Sequence, residues 1–109
     1  MIHFSNIYPE IQEGEAKGLI DQSGSAILML GHTQIPMIMS LAGRMIANPG
    51  SVGQSRDGNP KASFGILTIS KEKHDFDIVR VEYDVDATAT EILDAGLPRF
   101  LADRLHVGI

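Results

Sequence analysis

The chain has no cysteine and no tryptophan, and aromatic residues make up only 6% of it. Without cysteine there are no disulfides, no thiolate nucleophile and no Cys-based zinc site. With so few aromatics, aliphatic and Met side chains must fill the core. No run approaches the ~18 apolar residues of a membrane span. The opening Met1-Ile2-His3-Phe4-Ser5-Asn6 lacks the basic flank and apolar stretch of a secretory signal, so a cytoplasmic protein is the expectation. Basic residues are also scarce, with 9 Lys+Arg against 14 Asp+Glu and a net charge of −5. That balance argues against a sequence-independent grip on nucleic-acid phosphates.

What is present describes an ordinary globular chain of 109 residues, 43% hydrophobic and 21% charged. This excludes intrinsic disorder and sets the expectation of a single domain over 1–109. Ala26 to Gly31 is a short apolar run ended by glycine and reads as a buried strand. Pro36 to Leu41 and Arg44 to Ala47 are two more strands, joined by Ala42-Gly43 as a hairpin turn. Ala62 to Ser70 carries apolar residues on both faces, which suggests a central strand. Phe76 to Tyr83 is its successor, with a phase slip at Ile78-Val79 that suggests a bulge. Helices are expected at both ends: Pro9 to Asp21, interrupted by Gly14 and Gly18, and a carboxyl-terminal pair. Asp86 or Thr88 caps the first of that pair, with Thr88-Ala89-Thr90-Glu91 as a capping box, and Pro98 opens the second. The sum is an α+β fold of about five or six short strands in one mixed or antiparallel sheet, with terminal helices.

Four features can carry chemistry. Gly31-His32-Thr33-Gln34-Ile35-Pro36 follows a strand end, where α/β folds gather ligands. A neutral imidazole there suits a divalent metal, and the competing reading is a hydrogen-bonded loop histidine. From Asn48 to Pro60 runs a thirteen-residue loop rich in Gly and Pro, with Asn48, Ser51, Gln54 and Arg56 as polar groups. Backbone amides plus an Arg fork can hold a phosphate, although most such loops only connect strands. The loop fits neither a Walker A pattern nor G-x-S-x-G. His74, Asp75 and Asp77 read as charges on the solvated side of a strand rather than a metal cluster. Met29, Met37, Met39 and Met45 read as core filling, with an adaptable contact surface as the alternative.

Two stretches together resemble a known family. Gly31 to Pro36, then Gly43-Arg44, then the block Asn48-Pro49-Gly50-Ser51-Val52-Gly53-Gln54-Ser55-Arg56-Asp57-Gly58-Asn59-Pro60-Lys61-Ala62-Ser63 are similar to the calcineurin-like metallophosphoesterases, in their small prokaryotic phosphodiesterase-type branch. The resemblance spans roughly residues 26 to 105. It implies half of an α/β/β/α sandwich. In the family two divalent ions (manganese, iron, nickel or zinc) bridge a hydroxide and neutralise charge on the phosphoryl group during phosphate ester hydrolysis. By this resemblance His32 is the first metal-binding histidine of the G-H-x-H motif, and His3 matches an isolated upstream ligand. Asn48, Ser51 and Arg56 become loop support or phosphate contacts.

The departures are as informative. Gln34 stands where the family has its second motif histidine, and no D-x-H, G-D or G-N-H-D/E motif occurs in the chain. Those motifs carry the bridging Asp and most other ligands. The expectation is therefore a carboxyl-terminal half with little or no hydrolysis of its own and weak metal binding at most. It is weighed against a half completed by a separate amino-terminal partner chain and against a non-catalytic binding or structural module. Half a sandwich leaves an apolar sheet face wet, at about 25 cal/mol per Å². Self-association is expected to follow, as a two-fold dimer with the sheets packed on each other.

Overall fold

The computed structural model describes residues 7–109, so His3 lies outside the described residues. The element order is α1 (Glu13–Ser23), β1 (Ile27–Met29), β2 (Met37–Leu41), β3 (Arg44–Asn48), β4 (Ala62–Ile69), β5 (His74–Val81), α2 (Val85–Asp94) and α3 (Arg99–Val107). The fold is α+β with five strands. They divide between two small sheets rather than forming one: β1-β3-β2 and β4-β5. Periodicity reports which face of a strand is covered and not which strand lies beside it, so the division was not legible locally. No helix among the described residues is long and apolar enough to cross a membrane.

The β2–β3 hairpin forms where the turn residues demand it. Ala42 and Gly43 take φ of 47° and 81°, and Leu41 pairs with Arg44. Positive φ at both central positions is the type I′ geometry that matches strand twist. β1 joins the other edge of β3 in parallel, with Leu28 beside Ile46. α1 runs uninterrupted through Gly14 and Gly18, because Ala16 and Ile20 bury fully against this sheet. Met37, Leu41 and Ile46 complete that core, with Leu28, Leu30 and Met39 partly buried around it.

The opposite face of the same sheet meets β5. Met45 and Ala47 cluster with Phe76 and partly buried Ile78. The cover stops there: Met29 and Ile38, beside Ala47 on that face, are 42% and 45% exposed. β4 is not a central strand, since it pairs only with β5 among the described residues. Phe64, Ile66, Leu67 and Ile69 are accordingly all exposed. The β4–β5 ladder is continuous through Ile78 and Val79, with no bulge. The phase slip arises because both faces are half-covered there, so each keeps an apolar residue. α2 begins earlier than the capping box suggested. The Asp84 side chain accepts from Ala87 N at 3.0 Å, which leaves Glu91 inside the helix. α2 and α3 pack on each other, and Ala89, Ala102 and Leu105 are their buried residues.

The radius of gyration is 16.2 Å and the longest extent 48 Å. A compact domain of this length has a radius of about 13 Å. The chain is therefore extended for its length, with the second sheet reaching only the middle of the first.

Two consequences can be measured. A Cβ on Gly65 would lie 2.0 Å from Cζ of Phe76, whose ring is held against Met45 and Ala47. Gly65→Ala is expected to cost about 1–3 kcal/mol by overpacking, read as a lower urea midpoint, with partial rescue by Phe76→Leu. At the helix pair, His106 Nε2 lies 2.8 Å from Asp86 Oδ1. That hydrogen bond raises the His106 pKa above the usual 6.5, with desolvation opposing it and the nearby carboxylate charge of Asp86 adding to it. A raised folded-state pKa adds stability below the unfolded value that is lost as pH rises through the folded one. NMR titration should give a His106 pKa that drops in Asp86→Asn, and the thermal midpoint of the parent chain should decline over that window more than the variant's.

Candidate functional site

Two loops meet at the end of the first sheet and form an open cleft of about 630 Å³, lined by His32, Gln34, Gly50, Ser51, Ser63 and Phe64 among others. The first loop leaves β1 and runs to Pro36. In it His32 and Gln34 adopt positive φ, 76° and 61°, on either side of Thr33. Such backbone is costly for side-chain-bearing residues and persists only where the surroundings impose it. Here Thr33 is buried and its Oγ1 accepts from Asn48 Nδ2 at 3.1 Å, while His32 stays exposed at the cleft. The outcome is an imidazole and a carboxamide presented side by side, one residue apart.

Asn48 ends β3 and is wholly inaccessible to solvent. Its Nδ2 donates to Thr33 and, at 3.4 Å, to the Gly31 carbonyl, while its Oδ1 accepts from Gly50 N at 2.9 Å. Its polar atoms are thus engaged within the protein, where Asn48 ties the two loops together. Ser51 does line the cleft. Its Oγ accepts from Gln54 N at 2.9 Å and Gly53 N at 3.3 Å, which leaves the hydroxyl proton for an acceptor in the cleft.

Arg56 is not brought to this cleft. Its amide donates to the Gln34 carbonyl at 3.3 Å, but the residue lines a separate groove with Phe100, Arg104 and Val107. The long loop is held instead by groups that sequence reading passed over. Arg80 on β5 forks onto Asp57 at 2.7 and 3.3 Å and donates to the carbonyls of Asn59 and Lys61, both at 2.9 Å. Ser63 Oγ donates to the Pro49 carbonyl at 2.7 Å, and Gly58 N to the Gly108 carbonyl at 2.8 Å. Only the alternation of Arg80 with apolar neighbours marked it in the sequence, and nothing there named its partner 23 residues away.

The other candidates fall as follows. Asp75 and Asp77 are exposed, and Asp75 pairs with Lys73 at 3.5 Å. Met37 and Met45 are buried and Met39 half-buried, whereas Met29 stands on an open sheet face. Among the described residues no three His, Cys, Asp or Glu side chains converge as metal ligands. A binuclear metal centre needs several such donors. Among the described residues the cleft offers one imidazole and the neutral amide of Gln34, and this donor set does not fit such a centre.

No family model matches the chain. An uncharacterized protein of Methanocaldococcus jannaschii is 34% identical over 97% of this chain, which corresponds to 50% of that protein. A metallophosphoesterase from Sphaerobacter thermophilus superimposes with a TM-score of 0.70 at 31% identity, over 78% of this chain and 43% of its own. A hypothetical protein from Pyrococcus horikoshii shares the fold with a TM-score of 0.81 at 20% identity, over 97% of this chain and 42% of its own. The chain spans about half the length of these relatives or less. Sequence and fold agree in one respect: the chain is similar to a metallophosphoesterase over somewhat less than half of that protein's length.

Proposed function

We propose that this chain is a metallophosphoesterase-related half that hydrolyses phosphate esters poorly or not at all by itself. The observation that carries this reading is the composition of the cleft: among the described residues His32 alone supplies an imidazole there, and Gln34 takes the place beside it. Two-metal hydrolysis needs cations that generate a hydroxide and neutralise the phosphoryl oxygens. One imidazole holds a divalent ion weakly, and a carboxamide adds little for a transition metal. What the cleft retains suits the other end of the chemistry. The Ser51 hydroxyl and the turn at Gly50 can meet a phosphate oxygen without net charge.

A second reading is favoured by the share of the relatives that the chain covers, 50% of one and 43% of another. On it, the remaining metal ligands arrive on another polypeptide segment, and His32 contributes one donor to a shared site.

Manganese-dependent hydrolysis of an aryl phosphodiester by the purified chain, with His32→Ala beside it, tests the first reading. No turnover above that of the variant is expected. Turnover that requires both the metal and His32 would overturn it.

A further inference from the structure

Acidic residues outnumber basic ones in this chain, and three of its arginines are each taken by a carboxylate: Arg44 by Asp21, Arg80 by Asp57 and Arg99 by Asp103. The two others, Arg56 and Arg104, pair with no carboxylate among the described residues. Both line one groove of about 570 Å³, together with Phe100, Asp103, Val107 and Ile109. That volume is in the range of small-ligand clefts.

The groove is built before anything enters it. One wall is the long loop after β3 and the other is α3. Gly58 N donates to the Gly108 carbonyl at 2.8 Å. Gly108, at φ 70°, comes so near the loop that a Cβ there would lie 2.7 Å from Asn59 N. Arg104 is half-buried, and its Nε is inaccessible without a hydrogen-bond partner. A buried N–H without an acceptor is costly, and a partly desolvated cation attracts an anion more strongly than one in water. The Arg104 guanidinium lies 5.8 Å from the centroid of the Phe100 ring, which is 62% exposed. Ring and guanidinium together make a surface on which a planar group can stack. Asp103, the one acidic side chain in the lining, has its Oδ2 3.7 Å from Arg99 Nε, which offsets its charge.

We infer that this groove binds a small aromatic phosphate monoester. A phosphate monoester carries close to two negative charges at neutral pH and matches two guanidinium groups that lack a counter-charge. Its oxygens accept from their forked N–H groups. The aromatic body lies against Phe100 and the apolar side chains of Val107 and Ile109. Neither His32 nor Ser51 lines this groove, so the inference stands apart from any hydrolysis at the cleft.

Adenosine monophosphate, titrated into the whole chain without added metal and followed by heteronuclear NMR, tests this. Saturable shifts are expected to centre on the amides of residues 56, 100, 104 and 107. Arg56→Gln alters an exposed side chain and should weaken binding about tenfold, as should Arg104→Gln. Lys71→Gln makes the same charge change on the exposed β4–β5 turn and should leave the affinity unaltered. Inorganic phosphate and adenosine, each alone, should bind at least about tenfold more weakly than the nucleotide. Shifts centred on His32 and Ser51, or an affinity that Arg56→Gln and Lys71→Gln change alike, would overturn the inference. So would equal binding of phosphate or of adenosine alone, or no saturation at millimolar nucleotide.

Discussion

One buried carboxamide holds the two halves of the cleft together. Asn48 sits at the last position of β3, out of reach of solvent, where its amide donates to the His32 turn and its oxygen accepts from the long loop. A buried polar group left without partners costs about 1–3 kcal/mol, so the bonds that satisfy it are conditions of the fold. Through them the unfavourable backbone at His32 and Gln34 is maintained, with Thr33 as the clamped residue between. The loop's far side is fixed separately by the Arg80 fork on Asp57 and two carbonyls. The cleft is therefore rigid by construction, although its chemistry is sparse.

Rigidity at the cleft contrasts with openness elsewhere. The first sheet packs against α1 on one face, around Met37, Leu41 and Ile46, and is covered only in its middle on the other, where Phe76 and Ile78 reach Met45 and Ala47. Each 100 Å² of aliphatic surface left wet forgoes about 2.5 kcal/mol, a sizeable fraction of the stability of a small domain. The radius of gyration expresses the same fact as a dimension. The chain spans about half the length of its relatives, and the second sheet covers only the middle of one face of the first.

Much of this was legible because it is local. The Ala42-Gly43 turn followed from its conformational demands, and the Asn48–Pro60 loop from its glycines and prolines. The motif around His32 marked the cleft before any geometry was known. Less was legible wherever tertiary contact decides. α1 survives Gly14 and Gly18 because Ala16 and Ile20 are buried against a sheet, which propensity does not register. Asp84 displaces Thr88 as the cap of α2 because its carboxylate reaches Ala87 N first along the chain. The pairing of β4 with β5 alone, and the Arg80–Asp57 ion pair, depend on partners that no window of sequence contains. Arg56 was expected near the site as the basic fork of a phosphate-holding loop and by the family resemblance, yet it lines the groove beside α3.

The central claim is that Asn48 couples the His32 turn to the long loop. Hydrogen–deuterium exchange of the parent chain and of Asn48→Ala tests it most directly. Faster exchange is expected in both segments, 30–36 and 49–63, while the amides joining β4 to β5 beyond Gly65 keep their protection. Acceleration confined to the residues next to position 48, with the His32 turn unchanged, would contradict the account.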